Sequence, residues 1–352
     1  MAIDRGTLEL LDGLKIHIDA ALEATDRAII AAWARAWTEV AVEWEAALAD
    51  LVAASTDGQW PSRRQILRAR RAQQAAEVTA AAVQRAVDDL GLTTSRALSS
   101  MVPDAVEWEL RLLASQLPPA DPRTAALVAG FDRVDPASLA AIVERTMAGV
   151  TADAALLPAY VTTTIQSTLV RGIQTGANPN AVATEMLRRL EGAFNLGRAR
   201  ALVIAHTEIL DAHRAAAQAA NVANRTVVAK WQWVTTFDER TCIGCLVMHG
   251  REFPVTEPGP LGHQQCRCAG VPVAKSWADL GFDGIDEPDD LLPDARAWFD
   301  GLPDATQDRI AGKRRMAGYR DGAVVWDDLV TRRTNRGWRD SFVPSPLSLL
   351  GL

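Results

Sequence analysis

No run of roughly 18 uncharged apolar residues interrupts this 352-residue chain, so no membrane-spanning helix is expected. Asp4, Glu9 and Asp12 break up the first apolar stretch, so a secretory leader is not expected either. Positive charge is not in excess: a net charge of −7 argues against a surface built throughout to wrap nucleic acid. There is no paired-histidine H-E-x-x-H segment, no phosphate-cradling glycine loop and no nucleophile elbow, which removes the signatures of several common enzyme classes. Cysteine is the most informative scarcity, because the chain has four and all of them fall in one short window. The chain is expected to fold in a reducing cytoplasm, where thiols persist.

That window reads Cys242-Ile-Gly-Cys245, then Cys266-Arg-Cys268, with His249 and His263 between. A C-x2-C knuckle turns two thiolates toward one point, and a later H-x2-C-x-C run can complete a tetrahedral shell around Zn²⁺. Six candidate ligands compete for four positions. Cys242 and Cys245 are the firmest. Cys266 and Cys268 point the same way if their stretch is extended, and His263 sits at a plausible turn. His249, beside Gly250, reads as a bystander at a loop tip, and Gly244 is expected to supply a positive-φ turn in the knuckle. With thiolates plentiful and carboxylates absent, a closed structural zinc site is favoured over an open catalytic one. A redox pair at Cys242 and Cys245, a disulfide, or buried small apolar cysteines are the alternatives.

The remaining chain predicts an α+β fold, predominantly α-helical, with long N-terminal helices, a helical middle and a small zinc-stabilised β-rich module toward the C-terminus. The expected divisions are 1–117, 123–229, 230–275 and 276–352. Ile29, Trp33, Val40, Trp44, Leu48 and Leu51 recur at three, four and seven residues, the period of one helix face ending at Thr56-Asp57-Gly58. Such a stripe reads as core or helix-partner surface rather than a ligand box, and because Trp33, Trp37 and Trp44 make the helix more apolar than a lone helix can leave in water, they are the candidate partner-binding residues. Ser62 and Gln65 resemble a capping box opening a helix that runs to about Leu90 before Gly91. Asp135-Pro136 and Asn178-Pro179 read as later helix starts. Pro118 to Pro122 is the clearest linker.

Arg63, Arg64, Arg68, Arg70 and Arg71 form the dense basic run of the N-terminal half. A solvated or salt-bridged helix face is one reading, and contact with DNA phosphates or an acidic protein surface is the other. Lys313-Arg314-Arg315 is a second basic segment. Trp231 to Thr236 is rich in β-formers and leads into the knuckle, and Gly270-Val271-Pro272-Val273 reads as an edge strand because proline bars a central place. The aspartate-rich stretch from Asp279 to Asp290 reads as a solvated linker. A helix is expected near Asp294 to Leu302, and the tail from Pro344 as a segment disordered or docked on a partner. His206, Glu208 and His213 lie on one helix. A structural role is favoured for them over a metallohydrolase centre.

The run Arg200 to Glu208, then Trp233 through Asp238-Glu-Arg-Thr-Cys242-x2-Cys245, His249-Gly250, and His263-x2-Cys266-Arg-Cys268 resembles the Mu F-like head morphogenesis proteins of tailed bacteriophages. Trp298 to Pro303 and Gly312 to Asp328 resemble that family's closing helices, which extends the likeness over about residues 160 to 340. Where the family usually carries Arg-Thr-Glu, this chain has His206-Thr207-Glu208. The resemblance implies a minor capsid protein of the virion. It would be bound to the portal inside the head, with the major capsid or scaffolding protein and weakly held packaged DNA as further partners. It would be assembled in the host cytoplasm, with a role in DNA packaging or ejection. The alternative is a phage-associated metal-dependent hydrolase, a nuclease or a protease.

Overall fold

The computed structural model describes residues 3–56, 60–174, 179–334 and 339–352. In chain order it comprises α1 (Arg5–Ala53), α2 (Arg63–Arg68), α3 (Arg70–Ser115), α4 (Pro122–Ala129), α5 (Pro136–Ala154), α6 (Leu157–Gln174) and α7 (Pro179–Ala223). There follow β1 (Val228–Val234), α8 (Ile243–Met248), β2 (Glu252–Pro254), β3 (Ala269–Ala274), α9 (Ala295–Asp300), α10 (Asp304–Ala311), α11 (Lys313–Arg320), β4 (Val330–Arg333) and β5 (Ser341–Pro344). The fold is therefore mainly helical with small antiparallel sheets, as the sequence predicts. The chain forms two compact units: a helical unit of Ala20–Leu98 with Glu144–Ile209, and a mixed unit of Met1–Asp19, Ser99–Val143 and Leu210–Leu352. The boundaries fall inside α1, α3, α5 and α7.

In the helical unit the periodic stripe of α1 is core. Ile29, Val40, Leu48 and Leu51 are buried, as are Trp33 at 1% and Trp44 at 0% exposure, while Trp37 packs against the same cluster. Each large ring has a polar outlet as well as apolar neighbours, since Trp33 Nε1 donates to the Phe194 carbonyl at 3.4 Å and Trp44 Nε1 to Thr79 Oγ1 at 3.0 Å. The surface expected to meet a partner is thus taken up by the unit's own packing. Gly197 of α7 shows how close that packing is: an added Cβ would lie 2.4 Å from Val161 Cγ2 and 3.1 Å from the Trp33 ring.

Two helix boundaries differ from expectation. The capping box is present, with Gln65 N donating to Ser62 Oγ and Ser62 N to Gln65 Oε1. The helix it opens stops at Arg68, where Ala69 turns to extended backbone, and α3 then continues past Gly91 to Ser115. A single glycine costs a helix interior only about 1 kcal/mol relative to alanine, which the buried Leu90, Leu98 and Met101 around it offset. Asp57, Gly58 and Asn178 lie outside the described residues.

The mixed unit is centred on β1. The sheet order is β2-β1-β3, both pairings antiparallel, which leaves Pro272 on an edge strand opposite Trp231 as expected. Trp231 stacks on Phe253 with ring centroids 4.4 Å apart, and Trp233 meets Phe342 edge-on at 5.8 Å. A second core, with Ile243, Leu246, Phe299, Met316 and Leu329 among its members, joins α8 to the C-terminal helices. Two segments are more ordered than expected. The aspartate-rich stretch is pinned where Glu287 accepts from Trp277 N at 2.6 Å and Asp290 from Ile3 N at 3.1 Å. The tail is folded within the unit: β5 pairs with β4, Ser345 N donates to the Leu329 carbonyl at 3.0 Å, and Leu350 and Leu352 pack on the second core. Its leucines have a partner inside the chain, which a reading by composition could not locate.

Candidate metal centre

β1 delivers the chain into the loop that carries the knuckle, and Asp238 organises that loop. Its carboxylate accepts from Arg240 N at 2.9 Å, from Thr241 Oγ1 at 3.2 Å, and from Arg267 Nη2 at 2.7 and 2.8 Å. The Asp-x-Arg-Thr segment and the Cys-Arg-Cys segment are therefore joined by an ion pair in which Arg267 Nη2 meets both carboxylate oxygens of Asp238. Cys242 then caps α8, its sulfur accepting from Cys245 N at 3.4 Å. One residue's role is corrected here: Gly244 is not a positive-φ turn but a residue of α8. It is small because a Cβ there would sit 3.0 Å from the backbone of Val343 and Pro344 in β5. The return of the second segment uses Gln265 at φ 57°, and Gly262 leaves the room that the Cys266 sulfur fills, only 2.5 Å from where a Cβ would be.

Five of the six candidate ligands converge. They form two triads that share Cys245, namely Cys242, Cys245 and His263, and Cys245, Cys266 and Cys268, with the ligand atoms of each within 4.8 Å of one another. Cys242 Sγ lies 3.2 Å and Cys245 Sγ 3.5 Å from His263 Nε2, and Cys245 Sγ lies 3.6 Å from Cys266 Sγ. Zinc–thiolate bonds of about 2.3 Å at the tetrahedral angle place two sulfurs about 3.8 Å apart, so these separations suit a shared ion. Cys268 has a further partner, donating to Thr235 Oγ1 at 3.3 Å. All four thiols are free, so no disulfide forms among them. Cys245, Cys266 and Cys268 are buried among Trp231, Trp233 and Met248. His249 stands apart as expected, accepting from Thr235 N at 3.1 Å while Nε2 lies 3.0 Å from the Pro293 carbonyl.

The protonation pattern follows from this crowding. The hydrogen bond from Cys245, against the opposing effect of burial and with help from His263, brings Cys242 down to about 5. Cys266 is lowered by its bonds to Cys245 and Cys268, whereas Cys245 is raised by its bonds to Cys242 and its neighbours, and Cys268 chiefly by burial. Burial opposes protonation of His263, yet the bond to Cys242 and that thiolate's charge bring it up to about 9. Without a cation, the cluster ionises only part of its thiols.

A supporting shell on α7 was not foreseen. Arg214, buried at 7% exposure, donates from Nε to the Cys268 carbonyl at 3.0 Å, from Nη2 to the Cys266 carbonyl, and from Nη1 to Asp211 at 2.7 Å. Asp211 also accepts from Arg339 Nε at 2.8 Å. His213 beside Arg214 is buried, with Nε2 lacking a hydrogen-bond partner, and burial lowers it to about 3. In the helical unit His206 Nε2 lies 2.6 Å from Asp26 Oδ1, and Glu208 lies against Gly149. Among the described residues no cluster of metal-type ligands includes His206, Glu208 or His213. Of the five N-terminal arginines, Arg71 pairs with Asp50 at 3.6 Å.

Residues 163–271 match the family model described as phage Mu protein F like protein. No curated protein and no solved structure matches the chain. The matched segment runs from α6 into β3 and holds all five clustered ligands, so it supports the Mu F-like assignment made from the motif residues. The assignment points to a bacteriophage head morphogenesis protein. No helix among the described residues is long and apolar enough to cross a membrane.

Proposed function

We propose that this chain is a structural minor capsid protein of a tailed bacteriophage, bound to the portal inside the head. In this reading Zn²⁺ holds its mixed unit together. The observation that carries the reading is the convergence of Cys242, Cys245 and His263, with Cys266 Sγ 3.6 Å from Cys245 Sγ, within the Mu F-like segment. A shell of three thiolates and one imidazole leaves no position for water, which is the design of a structural site. Cys268 is then the reserve thiol, held by Thr235. When bound, the ion would tie the first turn of α8 to the segment 263–268, which has no helix or strand of its own, and its binding free energy becomes folding free energy.

The portal is the proposed principal partner, with the major capsid or scaffolding protein as further candidates, and the packaged DNA is met by weak contacts that assist packaging or ejection. Co-purification with the portal protein encoded nearby, from cells producing both, tests the reading. Recovery of the pair supports it. Failure to co-purify, together with metal-dependent degradation of DNA or protein by the purified chain, would replace it with the hydrolase alternative.

A further inference from the structure

The helical unit contains a groove of about 410 Å³ between α2 and α6, lined by Arg63 and Leu67 on one side and by Thr163, Gln166, Ser167 and Arg171 on the other. The α6 residues recur at three and four, so they share one helix face. Arg63 and Arg171 are exposed, and neither has an ion-pair partner among the described residues. No acidic side chain lines the groove. The basic character extends past the groove, because Arg64, Arg68 and Arg70 are exposed on the same short stretch of chain and have no ion pair among the described residues.

We propose that this groove is a phosphate-binding site for a nucleic-acid backbone. Two guanidiniums offer forked donors for phosphate oxygens, and the hydroxyls and amide between them supply uncharged donors. A polyanion fits better than a single small anion because the arginine strip continues beyond the groove. The helical stretch Arg63–Arg68 alone spans roughly 7.5 Å at about 1.5 Å per residue, over which duplex DNA presents about four phosphate charges. No aromatic ring lines the groove, so bases are not stacked and binding is independent of sequence. The proposal goes beyond the metal centre, and draws on the head-protein reading only for the presence of DNA near the site.

The test uses the full chain and a fluorescently labelled 20-bp duplex, with anisotropy followed across a salt series. Arg63→Gln/Arg171→Gln is compared with Arg96→Gln/Arg145→Gln, which removes the same charge from exposed positions of the same unit. Circular dichroism melting confirms that both variants are folded. The groove variant is expected to bind roughly tenfold more weakly, with a salt slope shallower by about 1.8, since each lost phosphate contact removes about 0.9. The control variant should keep the wild-type slope. Equal behaviour of the two variants overturns the site. Polyglutamate competing as well as unlabelled duplex assigns the groove to an acidic protein surface instead. Displacement of duplex by low millimolar inorganic phosphate assigns it to a free anion, and either result overturns the nucleic-acid proposal. Failure of portal co-purification leaves this measurement intact, so the two readings fail separately.

Discussion

Arg214 donates from Nε to the carbonyl oxygen of Cys268 at 3.0 Å, and so fastens α7 to the segment that carries the last two cysteines. Three thiolates, a neutral imidazole and a divalent ion would sum to one negative charge, and burying that charge is costly unless a cation accompanies it. Arg214 supplies the cation, while Asp211 and Arg339 balance each other behind it. Arg214→Met should therefore raise the metal dissociation constant by about 10- to 100-fold, the usual effect of losing an outer-shell partner. Arg214→Lys should recover part of it. Chelator competition measures both, and unchanged affinity in the methionine variant would reduce Arg214 to a packing role.

Removal of metal makes a second prediction. Protein purified without chelator should hold close to one zinc per chain, and its removal should lower the melting temperature and expose amides between Trp231 and Val273 to hydrogen exchange. Cys245 belongs to both triads, so Cys245→Ser should reduce metal content more than Cys268→Ser. Equal losses in the two variants would contradict the proposed shell.

The pH dependence of stability should carry the mark of Glu109. This residue of α3 is fully buried, accepts from Asn221 Nδ2 at 2.6 Å, and is raised to about 8, chiefly by burial. A carboxyl raised above its unfolded value binds more protons in the native state, so its contribution is present below about pH 4.5 and is lost as pH rises to about 8. His213 acts oppositely, being lowered to about 3, but its effect is complete above about pH 6.5. Between pH 6.5 and 8 the slope from Glu109 should approach roughly 1.4 kcal/mol per pH unit. Glu109→Gln keeps the acceptor for Asn221 and should flatten that window in urea melts. A slope unchanged by the substitution would show that Glu109 is ionised in the native state.

For the tryptophans, the structure predicts loss of stability ahead of any loss of binding. Trp44→Ala should destabilise the chain by about 3–5 kcal/mol, the range for deleting a large buried ring. Gly197→Ala should cost about 1–3 kcal/mol by overpacking Val161 and Trp33. Thermal melts of the two variants measure this directly. A stable Trp44→Ala protein would be at odds with the burial of that ring.

Much of the helical architecture was legible because its signals are local. Period and caps located α1, α2 and the start of α5, and the proline in β3 placed that strand at an edge, whereas Asp121-Pro122, read as linker, opens α4. The ligand cluster was legible for a different reason: four scarce thiols in one window leave few other arrangements. What could not be read depends on distant partners. The stripe of Trp33 and Trp44 looks alike whether it meets another protein or α3 and α7. Gly91 looks like a helix end until Leu90 and Leu98 on either side of it are seen to be buried. Gly244 was assigned a turn because local reasoning supplies turns, whereas its actual cause is strand β5, about a hundred residues away in sequence. Arg214 was missed because nothing local distinguishes a buried arginine from a solvated one.

Strand β5 also bears on where a functional piece of this chain ends. Its backbone lies against Gly244, Phe342 N donates to the Leu261 carbonyl at 2.8 Å, and the Phe342 ring abuts Trp233. One late segment thus braces both ligand-bearing loops, although the match to the family model ends at residue 271. A fragment cut at that limit would keep every ligand and lose the wall that holds them together. The length of chain that carries the ligands is shorter than the length that packs around them.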